Sequence, residues 1–194
     1  MQLNKLVLGS AGVARLTAEE RTFFALACQF SNDLTILHKL VTASFREPLD
    51  ELEQMANSVL VGVLLKTLAS KLYQGWEVVE RAFYGAQVGK APWLRTNLAL
   101  QRALDQLHVY FSKPNPIGEI RNRFGSHYDT EPLAPHLDAL LADNGFEMLY
   151  GDKVANYFYT TSELATWSAV LGTTDDTVFP ARMKELVLEV ADKA

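Results

Sequence analysis

From Phe23 to Val41 the apolar residues Phe23, Ala27, Phe30, Leu34, Leu37 and Val41 recur at steps of 4, 3, 4, 3 and 4. That rhythm follows the turn of an α-helix and puts all six on one stripe. A second run, Val61, Leu65, Leu68, Leu72, Trp76, Val79 and Phe83, keeps the same spacing. Stripes this long are buried only by other helices lying alongside. The chain is therefore expected to be all-α, an antiparallel helical bundle with long helices.

Start and stop signals bracket these runs. Thr17-Ala-Glu-Glu, with Glu20 three residues after Thr17, is a capping-box pattern, and it predicts a helix to about Arg46 closed by Pro48. Asp50 caps a second helix with Glu51 and Glu53 in its first turn, running to about Tyr84. At the α-helical rise this helix is ~50 Å long. Gly62 and Gly75 lie inside it, where a missing side chain lets another helix come close. Gly85 to Pro92 reads as a loop, and Pro92 opens a third helix to about Ser112. Its buried face is Trp93, Leu100, Leu104, Leu107 and Phe111, with Asn97 as the one polar member. Asn115-Pro116, an amide cap followed by proline, starts a fourth helix to His127 or Tyr128.

The remainder is shorter in period. A helix is expected over 134–141, a turn at Asp143-Asn144-Gly145, and helices over 162–171 and 178–193. Between them, 146–161 is the one place for strands, a small β-hairpin about the Gly151-Asp152 turn. Its aromatic residues Tyr150, Tyr157, Phe158 and Tyr159 are expected to pack on the helices, with base stacking as the alternative. The whole chain, 1–194, reads as one helical domain, with a core over 17–129 and a C-terminal helical extension over 130–194.

Charge and cysteine content narrow the function. A net charge of −5 argues against nonspecific DNA binding, so any nucleic-acid contact must be local or made by an oligomer. The single cysteine, Cys28, excludes an intrachain disulfide and a cysteine zinc site, and its neighbours Ala25, Leu26 and Ala27 suggest a buried thiol. His38 and His108 are expected to be partly buried and His136 to lie on the surface. The longest apolar run, Val59 to Leu65, is far short of the roughly 20 residues of a membrane span, and the first residues make a poor signal peptide. These features lead us to expect a cytoplasmic protein without a membrane partner. No serine-nucleophile motif, phosphate-binding glycine loop or dinucleotide fingerprint occurs.

Chemistry concentrates in Ile120-Arg121-Asn122-Arg123-Phe124-Gly125-Ser126-His127-Tyr128-Asp129. A histidine titrates near neutrality, so His127 suits proton transfer to or from a ribose hydroxyl. The planar fork of Arg121 suits phosphate oxygens and the charge they gain in a transition state. Asn122 can donate to a phosphate or orient the histidine. Arg121 and His127 are six residues apart, ~240° around an ideal helix, so they share a face only if the helix deforms at Gly125 or if a dimer brings two copies together. The plainer alternative is structural: His127 bonded at a helix end, Arg121 paired with Glu119 or Asp129.

Three amphipathic helices followed by a capped helix bearing Arg121-Asn122, four residues, then His127 resemble the HEPN superfamily. Ser126-His127-Tyr128-Asp129 is similar to the tail of that motif in branches near abortive-infection and toxin systems. The resemblance covers about Thr17 to Asp129. It implies a dimeric helical bundle with its site between protomers, acting as a metal-independent endoribonuclease in many members and as an RNA-binding or scaffold protein in others. On this reading Arg121 is a phosphate clamp, His127 the general acid/base and Asn122 an orienting residue. The implied partners are a second copy of the chain, an RNA substrate and a partner or antitoxin protein, with no cofactor. The rival is a noncatalytic helical interaction module. A metal site is a further alternative, drawing on Asp105 and His108, on Glu77 and Glu80, or on His127, Asp129 and Glu131, but the paired Glu-x-x-His set of di-iron bundles is missing.

Overall fold

The computed structural model describes residues 7, 9–44, 50–85, 96–125, 129–152 and 157–194. The expected helix stop at Pro48, the start at Pro92, Trp93 and the segment Ser126-His127-Tyr128 lie outside the described residues.

The chain is all-α. Its helices are α1 (Ser10–Ala14), α2 (Ala18–Ser44), α3 (Glu51–Gly85), α4 (Leu98–Phe111), α5 (Pro116–Glu119), a π-helical segment (Ile120–Gly125), α6 (Leu133–Asn144), α7 (Thr160–Leu171) and α8 (Phe179–Lys193). The expected caps form. Thr17 N donates to Glu20 Oε2 at 2.7 Å, and Glu20 N donates back to Thr17 Oγ1 at 3.2 Å. Asp50 Oδ1 accepts from Glu53 N, and Asn115 Oδ1 from Gly118 N, each at 2.8 Å. Each bond satisfies an N–H that the first helical turn would leave unpaired.

α3 is the centre. Leu65, Leu68, Ala69, Leu72 and Trp76 are buried along it, and α2, α5, the π-helical segment, α7 and α8 all pack against it. By length and composition alone α3 could also cross a bilayer. α2 lays Leu34 and Val41 into the core, with Phe30 and Leu37 half-buried beside them. Three contacts fix its direction: Asn57 Nδ2 donates to Ser44 O at 2.8 Å, Lys71 Nζ lies 3.2 Å from Asp33 Oδ2, and Gly75 faces the ring of Phe30. As the α2 numbers fall the α3 numbers rise, so the two run antiparallel. The ring of Phe30 occupies the place where a Cβ at Gly75 would stand. α4 joins α3 through rings: Phe111 stacks on Trp76 at 5.4 Å and meets Tyr73 edge-on at 5.7 Å.

Several expectations change. α4 starts at Leu98, and Asn97 is not on its buried stripe: it is exposed and caps the helix, its Oδ1 accepting from Leu100 N at 3.0 Å. Cys28 is exposed, because α2 buries one stripe and Cys28 falls outside it. His38 is exposed for the same reason and His108 is exposed on α4, whereas His136 is half-buried. Where the hairpin is expected, Leu149 and Phe158 exchange two backbone hydrogen bonds of 2.8 Å in a single antiparallel bridge, with no strand around it among the described residues. Of the aromatic cluster expected to pack on the helices, Phe158 is half-buried, whereas Tyr150, Tyr157 and Tyr159 are exposed. They alternate with the bridge residues and so point outward, exposed, with the rings of Tyr150 and Tyr157 6.4 Å apart.

Candidate functional site

The Arg121 stretch is a π-helix rather than an α-helix. α5 brings the chain in through Asn115 and Pro116, and Ile117 and Ile120 are fully buried against the core. In an α-helix residue 125 would lie ~140° round from residue 120. The wider i→i+5 turn brings it back to the same side, against α3. There Ser70 Oγ occupies the position a Cβ at residue 125 would take, so the approach needs glycine. Ser70 Oγ itself is buried with no hydrogen-bond partner among the described residues. The end of the segment is closed by Asp129 N donating to Arg123 O at 3.2 Å, and Asp129 Oδ1 accepts from Glu131 N at 3.2 Å.

This turn aims Arg121 along α3. Its guanidinium lies 5.3 Å over the ring of Tyr73, its Nη1 donates to Asn122 Oδ1 at 2.8 Å, and its Nη2 is 3.8 Å from Glu77 Oε2. The side chain is one-third exposed. Tyr73 is itself held by Phe111 of α4. The arginine is therefore held on an aromatic face with part of its fork open to solvent, a partial cation–π arrangement. Of the two acidic partners expected for Arg121, Glu119 instead faces Arg123, at 3.4 Å and one helical turn away. Arg121 and Asn122 are brought together; His127 lies outside the described residues.

Tyr73 and Glu77 were not foreseen as neighbours of Arg121. They sit four residues apart, so one face of α3 carries both, but only the packing of two distant segments makes that face the bed for Arg121.

A second cluster lies at the α3–α4 contact. His108 Nδ1 is 3.3 Å from Glu80 Oε1, and its ring lies 4.7 Å from Tyr84 and 6.2 Å from Trp76. Burial, followed by the charges of Asp105 and Glu80, raises the Tyr84 phenol above its ordinary value of 10.0. Asp105 and His108 thus sit in an aromatic and acidic patch. Among the described residues no three His, Cys, Asp or Glu side chains gather to hold a metal ion.

Compared with family models, with curated proteins and with solved structures, the chain shows no match.

Proposed function

We propose that this chain is a HEPN-like RNA-directed protein, a metal-independent endoribonuclease or an RNA-binding relative of one, in a cytoplasmic defence or toxin-type system. The observation that supports it best is the state of Arg121: laid on Tyr73, bonded to Asn122 and still partly open to solvent. A guanidinium already held in place loses little freedom when it grips a phosphate, and its planar fork matches two phosphate oxygens. His127 then acts on the same phosphodiester. It takes the proton of the ribose 2′-hydroxyl as that oxygen attacks phosphorus, the bond from phosphorus to the 5′-oxygen breaks, and a proton goes to the leaving oxygen. Arg121 offsets the charge on the phosphoryl oxygens. Acid–base work by histidine and charge stabilisation by arginine supply the step without calling on a metal.

On this reading the helices form an antiparallel bundle, and the Leu149–Phe158 bridge is the kernel of a small hairpin. The assembly is a homodimer. Leu26, Ile36 and Leu40 on α2 are exposed, an apolar surface suited to a second copy or to an antitoxin-like protein.

One observation favours a second reading, the noncatalytic interaction module. Glu77 already stands 3.8 Å from Arg121 within the same subunit, so the arginine could serve to tie the π-helical segment to α3. Anisotropy of a labelled single-stranded RNA separates the two. If Arg121 contacts phosphate, Arg121→Ala weakens binding and lowers the slope of log affinity against log salt by about 0.7, one phosphate's worth for a single strand. If Arg121 is structural, the wild type shows no RNA affinity and the variant loses stability.

A further inference from the structure

A cavity of about 930 Å³ opens between α3, α7 and α8, along the N-terminal half of α3, whereas Tyr73 and Glu77 of the Arg121 site lie in its C-terminal half. It is at the upper end of the ~300–1,000 Å³ typical of small-molecule sites. The cavity is open to solvent on the side where Glu51 and Glu147 are exposed, so a small molecule can enter it.

The wall is built rather than left over. Lys66 Nζ grips both carboxylate oxygens of Glu163, at 2.8 and 2.9 Å, and Trp167 Nε1 donates to Glu163 Oε1 at 2.8 Å. Both charged side chains are only 15% exposed. They fit because residue 62 is glycine: a Cβ there would stand in the Glu163 carboxylate and the Trp167 indole nitrogen. This ties α7 to α3. At the other end of α7, Arg182 Nη1 of α8 donates to Leu171 O at 2.5 Å, beside the left-handed turn at Gly172. α7 is thus pinned at both ends, which keeps the space from collapsing.

The chemistry of the lining is selective. Its body is apolar, from Val61, Leu65, Leu140, Trp167 and Met183 among others. Its charged members are all acidic: Glu51, Glu147 and Glu163, with no Lys, Arg or His among the described lining residues. Glu163 is already neutralised by Lys66. Glu51 and Glu147 are exposed, and so lie at the rim, with no cation among the described lining residues.

We infer that this cavity binds a small organic cation, one with an apolar or aromatic body in the space between α3, α7 and α8 and a protonated or quaternary amine at the Glu51 and Glu147 rim. An anionic amphiphile of the same shape would bring its charge to the same two carboxylates and be repelled.

The test uses one apolar scaffold in three charge states: 2-naphthylmethyl-trimethylammonium, 2-naphthylmethanol and 2-naphthalenesulfonate. Each is titrated into the full chain by calorimetry at low salt. The ammonium compound should bind saturably and about 10-fold more tightly than the sulfonate, the sum of two partly screened charge contacts. The double variant Glu51→Gln, Glu147→Gln should shrink that preference to about 3-fold or less while leaving the alcohol's affinity unchanged. Leu164→Trp, which fills the cavity from a partly exposed position, should abolish binding of all three. The rim variants change only exposed side chains, so they keep the test valid should Leu164→Trp fail to fold. Equal affinity for ammonium and sulfonate, saturable binding that ignores the rim variants, or no binding of any probe would overturn the inference.

Discussion

Gly75→Ala gives the sharpest test of the packing between α2 and α3. In an open helix this change is favourable by about 1 kcal/mol, because alanine restricts the unfolded chain and glycine does not. At residue 75 the new Cβ would overlap the Cδ2, Cε2 and Cζ atoms of Phe30. The ring or the helix must move, and overpacking of this kind costs about 1–3 kcal/mol. Gly75→Ala should therefore be net destabilising, by up to about 2 kcal/mol once the propensity gain is subtracted. Phe30→Ala alone should cost about 2 kcal/mol, below the usual range for a core phenylalanine because Phe30 is only half-buried. With the ring gone, the sign of the glycine substitution should reverse. In the Phe30→Ala background Gly75→Ala should stabilise by about 0.5–1 kcal/mol, a coupling of about 1–3 kcal/mol between the two sites. Urea unfolding followed by far-ultraviolet circular dichroism measures all four proteins, with an unchanged slope as the check that only stability moved. Stabilisation by Gly75→Ala in the otherwise wild-type protein would refute the argument. So would an absence of coupling.

Three further outcomes follow from buried polar groups. Burial and the hydrogen bond to Glu189 raise the Tyr110 phenol well above 10.0, with its hydroxyl 2.5 Å from Glu189 Oε1. The unfolded chain releases that proton first, so the contribution is complete below the unfolded value and is lost as pH rises past it; thermal melts above about pH 10 should fall more steeply for the wild type than for Tyr110→Phe. Lys66→Met leaves the Glu163 carboxylate with Trp167 alone and should cost about 2 kcal/mol, less than a fully buried pair because both groups keep some solvent, and a double variant with Glu163→Leu should recover most of the loss in urea unfolding. Ser70→Ala removes a buried hydroxyl that has no partner among the described residues, so it should be neutral or stabilising by about 0.5–1 kcal/mol and should ease the acceptance of Gly125→Ala, read from the same unfolding curves.

Local signals carried most of the fold. The caps at Thr17, Asp50 and Asn115 need only residues three positions away, and all three form. The stripe from Leu65 to Trp76 is buried as its spacing requires, because it belongs to the helix against which α2, α5, the π-helical segment, α7 and α8 pack. What the sequence hid depends on distant partners. Asn97 lies at a helical interval from the buried residues of α4, and nothing nearby says that it begins the helix rather than facing the core. Cys28 has apolar neighbours, yet burial is decided by which side of α2 meets α3. The π-helical turn shows the same limit at the candidate site. Gly125 reads as a weak point in a helix, while its role is to let the chain close on Ser70. That closure gives Arg121 the bed of Tyr73 and Glu77, forty-odd residues earlier in the chain. Asn122 reads as a phosphate donor or a partner of His127, so its bond to Arg121 was not foreseen, and neither was the aromatic face beneath them.

The most direct test of the proposed function is cleavage of a labelled RNA pool in excess EDTA by the wild type, His127→Ala and Arg121→Ala. The account predicts cleavage by the wild type that survives chelation, leaving 2′,3′-cyclic phosphate and 5′-hydroxyl ends. It predicts a loss of at least about 100-fold in rate for His127→Ala, as expected for removing a general acid or base. Arg121→Ala should be comparably impaired, the scale of a lost charge-stabilising contact. Equal cleavage by wild type and His127→Ala, or cleavage that EDTA abolishes, would contradict the account.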